Sequence, residues 1–143
     1  MGTLTVFAID NALTVLKWGK TPICDQEPAK ILWDTREQLG AYFAGNRERF
    51  ILNSAPSGSS FKLSVWQTMG EIPYGETRTY GDIAAKLNSS ARAVGAACAC
   101  NPIPIIVPCH RVLGSDGRMT GYSGRGGIET KAKLLHLEGA RLI

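Results

Sequence analysis

Long hydrophobic runs are missing from this 143-residue sequence. Nothing in it approaches the roughly 20 apolar residues that a membrane-spanning helix requires, so no membrane partner is expected. The opening Met1-Gly2-Thr3-Leu4 has no basic segment and no signal-peptide core, and no export signal is read there. Cysteine is scarce and poorly spaced for bridging. Of Cys24, Cys98, Cys100 and Cys109, three fall within twelve residues, and no Cys-x-x-Cys pair occurs. That layout argues against a disulfide framework and for a reducing, intracellular setting: cytoplasmic, or nuclear in a eukaryote. Histidine is scarcer still. A zinc site on Cys98 and Cys100 could draw only on His110 and His136, at unhelpful spacing, so no metal is expected. Gly121-Tyr122-Ser123-Gly124-Arg125-Gly126-Gly127 lacks the Lys-Ser/Thr ending of a phosphate-binding loop, which excludes a nucleotide site of that kind. No cofactor is expected.

What is present is an ordinary globular composition, 44% hydrophobic and 20% charged, long enough for one large domain or two small ones. The net charge of +4 is unevenly placed. Residues 1–57 hold six Lys/Arg and six Asp/Glu, whereas 58–143 hold ten and six. The second part is therefore the better match for a polyanion such as DNA, although a solvated surface would account for so small an excess.

Two strands over 3–9 and 13–18, rich in Val, Ile, Leu and Thr, flank the turn residues Asp10-Asn11. Apolar spacing predicts a helix over 28–43 closing at Gly45-Asn46, and Phe50-Ile51-Leu52 reads as a short strand. Asn53-Ser54-Ala55-Pro56-Ser57-Gly58-Ser59-Ser60 is the one clear linker, so the boundary is placed between a 1–57 domain and a 58–143 domain. Beyond it, Phe61, Val65 and Met69 recur four apart on a helix over 60–69. Thr79 and Asp82 fit a capping box for a helix over 82–87 burying Ile83 and Leu87. Ser90 caps a second helix, which completes a helix-turn-helix. Apart from Arg92 that second helix shows almost nothing but Ala, Gly and Cys. It cannot read base edges as Arg, Asn, Gln or Lys would, but its backbone could lie close against a groove. Tight core packing explains the same composition.

Asn101-Pro102-Ile103-Pro104 leads into an apolar run, Ile105-Ile106-Val107, of strand character. Pro108-Cys109-His110-Arg111 follows at once. Thiolate is the nucleophilic form of cysteine, a neighbouring His or Arg lowers its pKa, and Pro108 constrains the backbone just before it. The plainer reading is a small buried hydrophobe beside a chance histidine. Asp116-Gly117 reads as a hairpin turn where a wing would sit, and a last helix is expected over 130–138.

Taken together, these blocks resemble the O6-alkylguanine-DNA alkyltransferases, or methylated-DNA–protein-cysteine methyltransferases. The resemblance spans about 61–139. It rests on Phe61-x-x-x-Val65-Trp66, Ile72-Pro73-x-Gly75-x-Thr77-x-Thr79-Tyr80, Arg92-Ala93-Val94-Gly95, Asn101-Pro102-Ile103, Pro108-Cys109-His110-Arg111-Val112, Gly121-Tyr122-Ser123-Gly124 and Leu134-Leu135-x-x-Glu138. It implies a reduced, ribonuclease H-like α/β N-terminal domain followed by a winged helix-turn-helix-like DNA-binding domain. It also implies a monomer acting once on double-stranded DNA containing alkylated guanine, with O4-alkylthymine as a further candidate substrate.

By that resemblance Cys109 accepts the alkyl group, His110 generates the thiolate through a water, Glu138 polarises the imidazole, and Asn101 supports the turn. Tyr80 assists the departing guanine. Arg92 fills the gap left by a flipped nucleotide, with Tyr80, Ala91 and Gly95 beside it on DNA, since the target atom is unreachable inside the stack. Tyr122, Ser123 and the carbonyl of Val112 line the base pocket. Three departures stand out: the short N-terminal part, a longer 124–128 segment, and cysteines at 98 and 100. Other readings remain open on residue types alone. They are a non-reacting alkylguanine sensor, against which Cys109 counts directly, a winged-helix regulator, and a cysteine hydrolase using Cys109, His110 and Glu138.

Overall fold

The computed structural model describes residues 2–20, 29–119 and 127–140. Strands β1 (Leu4–Ile9) and β2 (Ala12–Trp18) form an antiparallel hairpin. Asp10 and Asn11 both take left-handed φ, 51° and 63°, which the tight two-residue turn requires. Phe7 faces Val15 and Ala8 faces Leu13, so Thr14 is an extra, bulged residue. A bulge shifts the in-out alternation by one. Leu13 and Leu16, three apart, can therefore share the buried face, at 0% and 3% exposed.

Helix α1 (Lys30–Phe43) buries Ile31, Thr35, Leu39 and Tyr42 and ends at Gly45, as the sequence reading expects. The expected strand at 50–52 does not form. Pairing falls later, where Leu13 donates to the Asn53 carbonyl and accepts from Ala55, bridging Ser54 to β2. The bulged hairpin presents Leu13 to this segment, and the linker residues satisfy it.

Helix α2 (Ser60–Gly70) is capped by the Ser59 hydroxyl and buries Val65, Trp66 and Met69. Helix α3 (Tyr80–Leu87) begins in the expected capping box of Thr79 and Asp82. It buries Ile83 with Ala84, whereas Leu87 is only half-buried. Asn88 in the left-handed region and the Ser90 cap then start α4 (Ala91–Ala99). The two helices and this short turn are the expected pair.

Ile105-Ile106-Val107 is a turn, not a strand. Ile105 has φ 74°, and the Val107 amide folds back to the Ile103 carbonyl. Pro102 and Pro104 have no N–H to give a ladder, and the Asn101 side chain holds both Ile103 and Val107, so the segment curls. Two residues each of β3 (Arg78–Thr79) and β4 (Val112–Leu113) pair in parallel just after it. At Asp116-Gly117 the chain does turn, in a short 3-10 element, and Gly114 donates to Arg118. Among the described residues no second strand pairs across it. Helix α5 (Ile128–Leu137) closes the fold with Glu138 at its C-cap.

The architecture is thus a small hairpin, a short parallel pair and five helices among the described residues. Residues from both sides of the 53–60 linker enter one apolar cluster, from Leu13 and Tyr42 to Val65, Val94 and Leu134. None of the described helices is long and apolar enough to cross a membrane.

Candidate active site

Pro108 explains the placement of Cys109. Its φ of −81° and ψ of 68° make the centre of an inverse γ-turn, closed by the Cys109 amide donating to Val107 at 2.8 Å. The proline ring presets that φ. Asn101 clamps the same turn: its Nδ2 donates to the Val107 carbonyl at 2.8 Å and its Oδ1 accepts from Ile103 at 3.0 Å. Cys109, His110 and Arg111 then form a single 3-10 turn, all buried.

His110 and Arg111 point to α5. The His110 Nε2 lies 2.7 Å from Glu138 Oε2, and Arg111 donates to both carboxylate oxygens, Nε to Oε1 at 2.8 Å and Nη2 to Oε2 at 3.0 Å. Arg111 Nη1 also donates to the Ile72 carbonyl at 2.6 Å. Gly75, at φ 81°, lets the neighbouring turn pass α5; a Cβ there would meet the Glu138 carbonyl at 3.2 Å. Burial alone would push the Glu138 carboxyl up, but hydrogen bonds from His110, Arg111 and Tyr42 outweigh it and hold the carboxyl at about 2. Burial pushes His110 below its ordinary range despite the pull of Glu138. The imidazole is therefore neutral at pH 7. An ionised carboxylate only accepts, so Nε2 carries the proton and Nδ1 the lone pair.

Adjacency in sequence suggested that His110 and Arg111 would depress the Cys109 thiol. The structure gives another arrangement, with both side chains spent on Glu138. Burial raises the thiol, at 5% exposed, and it is the Asn101 side chain, the Lys131 ammonium and the residue's own backbone amide that pull it down. The resting group is a thiol.

Tyr80 opens α3, half-buried, and Val112 lies in β4 fully buried. On α4, Val94, Ala97 and Cys98 face inward. Trp66 Nε1 donates to the Ala97 carbonyl at 2.9 Å, and the Cys98 thiol lies 3.3 Å from the Met69 sulfur. Ala91, Arg92 and Ala96 are exposed and Gly95 is half-buried, so the small residues serve core packing on one face and leave a smooth outer face on the other. Tyr122 and Ser123 lie outside the described residues.

Two residues of the site, Tyr42 and Lys131, escape the sequence reading, and a third, Arg111, takes a different role from the expected one. Tyr42 counted as an apolar helix position, yet its Oη donates to Glu138 Oε2 at 2.5 Å. Arg111 was read as an activator of the thiol and proves to be the clamp of the carboxylate. Lys131 is 0% exposed, with its Nζ 5.7 Å from the centre of the Tyr80 ring, linking that ring to the charge environment of Cys109. Its signal was available: Lys131, Leu134, Leu135 and Glu138 keep the i, i+3, i+4, i+7 spacing of one buried helix face.

Residues 60–140 match the family model described as the 6-O-methylguanine DNA methyltransferase DNA-binding domain. The chain belongs to the 6-O-methylguanine DNA methyltransferase family. A relative from Methanosarcina acetivorans, named methylated-DNA–protein-cysteine methyltransferase, is 51% identical over 109 residues, 75% of this chain and 69% of that one. A relative of the same name from Mycolicibacterium paratuberculosis is 44% identical over 150 residues, covering 96% and 87%. Among solved structures, Mycobacterium tuberculosis OGT in complex with DNA superposes with a TM-score of 0.83 at 44% identity, covering 95% of this chain and 86% of that one. Membership in the methyltransferase family extends the likeness past the matched domain, because the last two relatives also cover the hairpin and α1.

Proposed function

We propose that the protein repairs double-stranded DNA by direct reversal, moving the alkyl group from O6 of guanine onto Cys109 irreversibly and once per molecule. The observation that carries this reading is the buried Cys109 on its proline-set turn, followed at once by His110, whose imidazole is hydrogen-bonded to Glu138. The names of relatives 42–51% identical and the DNA complex of the mycobacterial structure support it.

The Cys109 thiol passes its proton through a water to His110 Nδ1, and Glu138 stabilises the imidazolium that forms. Sulfur attacks the alkyl carbon. One S–C bond forms, the O6–C bond breaks, and the departing guanine recovers a proton, leaving normal guanine and a thioether. Burial holds the thiol protonated until a substrate is present, which limits wasteful reaction with other electrophiles. Tyr80 assists guanine departure. The base sits against the Val112 carbonyl with Tyr122 and Ser123, a placement that comes from the family resemblance.

A flipped nucleotide brings O6 to this buried sulfur. The exposed face of α4 fits the minor groove, where Ala91 and Gly95 permit close approach and Arg92 occupies the vacated stack. Residues 58–143 act as a winged helix-turn-helix-like DNA-binding and acceptor domain. Residues 1–57 act as a reduced ribonuclease H-like α/β domain, in a protein that works as a monomer. The test is a titration of a duplex carrying O6-methylguanine. Loss of the modified base should stop at one equivalent per protein, and Cys109→Ala should remove none. Continued turnover beyond one equivalent would overturn the reading.

A further inference from the structure

We infer that Tyr42, on α1, is a positioning residue for the reaction, holding the Glu138 carboxylate against His110 from the N-terminal part of the chain. The inference rests on the reading of His110 as the base for Cys109.

The geometry is specific. Tyr42 lies 96 positions from Glu138 in sequence, is 0% exposed, and donates to Oε2 at 2.5 Å. The same oxygen takes His110 Nε2 at 2.7 Å and Arg111 Nη2 at 3.0 Å, while Oε1 takes only Arg111 Nε among the described contacts. The ring cannot swing away. It packs on Phe43 and Phe50 at 5.3 Å between centroids and edge-on to Tyr74 at 6.3 Å. Packing alone would be met by phenylalanine, so the hydroxyl has a separate purpose. Burial and the Glu138 charge hold that hydroxyl well above the usual tyrosine range, so it remains a donor across the working pH.

Each donor on Oε2 draws negative charge away from His110. Among the described residues the charged and titratable groups around the pair are few. His110 faces Glu138, Arg111 and Lys131; Glu138 faces His110, Arg111 and Tyr42; and Tyr74, itself influenced by Glu48, lies against Tyr42 and Arg111. Among the described residues that hydrogen-bond this carboxylate, Tyr42 alone comes from the N-terminal part. Removing its hydroxyl leaves Oε2 more negative, stabilises the imidazolium, and makes His110 harder to deprotonate.

The test measures the methyl-transfer rate to Cys109 from about pH 5 to pH 8, where an imidazole titrates. Wild type, Tyr42→Phe and Tyr42→Leu are compared, and melting temperatures are recorded alongside. Wild type should slow on the acid side as His110 gains a proton. Tyr42→Phe should carry that acid limb upward by roughly half a pH unit or more, which is about threefold in rate below the limb. Tyr42→Leu should show the same displaced limb together with a lower melting temperature. A Tyr42→Phe profile that superimposes on wild type, or one lowered equally at every pH, would overturn the inference. A wild-type profile with no acid limb would instead remove His110 as the base, and the inference with it.

Discussion

Burying Glu138 beside His110 and Arg111 makes the stability of the fold depend on pH in a definite direction. The carboxyl sits at about 2 in the folded chain against an ordinary 4.5, so its contribution is present above pH 4.5 and is lost as pH falls toward 2. His110 adds to the same slope. Its folded pKa lies below the ordinary value, so acid that protonates the unfolded imidazole first also favours unfolding. Urea midpoints taken from neutral pH downward should fall continuously below about pH 6.5, the ordinary imidazole pKa. Glu138→Gln should cost about 3 kcal/mol or more at neutral pH, because the Arg111 charge is left buried without its partner. It should also flatten the acid part of that curve. A midpoint independent of pH in wild type would contradict the ionised, hydrogen-bonded carboxylate.

Helix α4 packs Val94, Ala97 and Cys98 into the core, and the proposed function lays its other face against DNA. Gly95 is half-buried with nothing within 4 Å of a Cβ built on it, and glycine inside a helix is about 1 kcal/mol less favourable than alanine. Gly95→Ala should therefore raise the melting temperature, and under the proposed docking of α4 in the minor groove it should weaken binding to lesion-containing duplex, because the methyl would stand between helix and groove. Arg92→Ala should slow transfer from duplex DNA while leaving alkylation of Cys109 by a small electrophile unchanged. An Arg92→Ala protein equally slow with both would place the effect on the sulfur and not on DNA.

At this scale the sequence was legible wherever a local device sets the structure: the Asp10-Asn11 turn, the Thr79–Asp82 box and the Ser90 cap all stand where they were expected. It misled at 105–107, where β-branched residues suggest a strand and the side chain of Asn101 imposes a turn instead. The clamp on Glu138 was only half legible. His110 is carried by the motif, but Tyr42 meets the carboxylate through tertiary packing that no local spacing reports.

Across the whole molecule, Cys109 is a wall of the same apolar cluster that includes Met69, Val94, Cys98 and Leu134. The acceptor is therefore also a core residue. Adding a methyl to its sulfur overfills a packed site beside α4, and overpacking of that kind costs about 1–3 kcal/mol. The alkylated protein should melt several degrees lower than the free protein, a drop that a thermal scan before and after one equivalent of substrate would show. An unchanged melting temperature would mean that the new group is accommodated in open space and that reaction leaves α4 undisturbed.

The central claim is transfer to one sulfur, and intact-protein mass tests it most directly. Protein mixed with duplex DNA carrying O6-methylguanine should gain the mass of one methyl group, and peptide mapping should place it on Cys109 with Cys98 and Cys100 unmodified. Cys109→Ala should gain nothing. Lesion-selective binding with no added mass would contradict the account and leave a protein that recognises alkylguanine without repairing it.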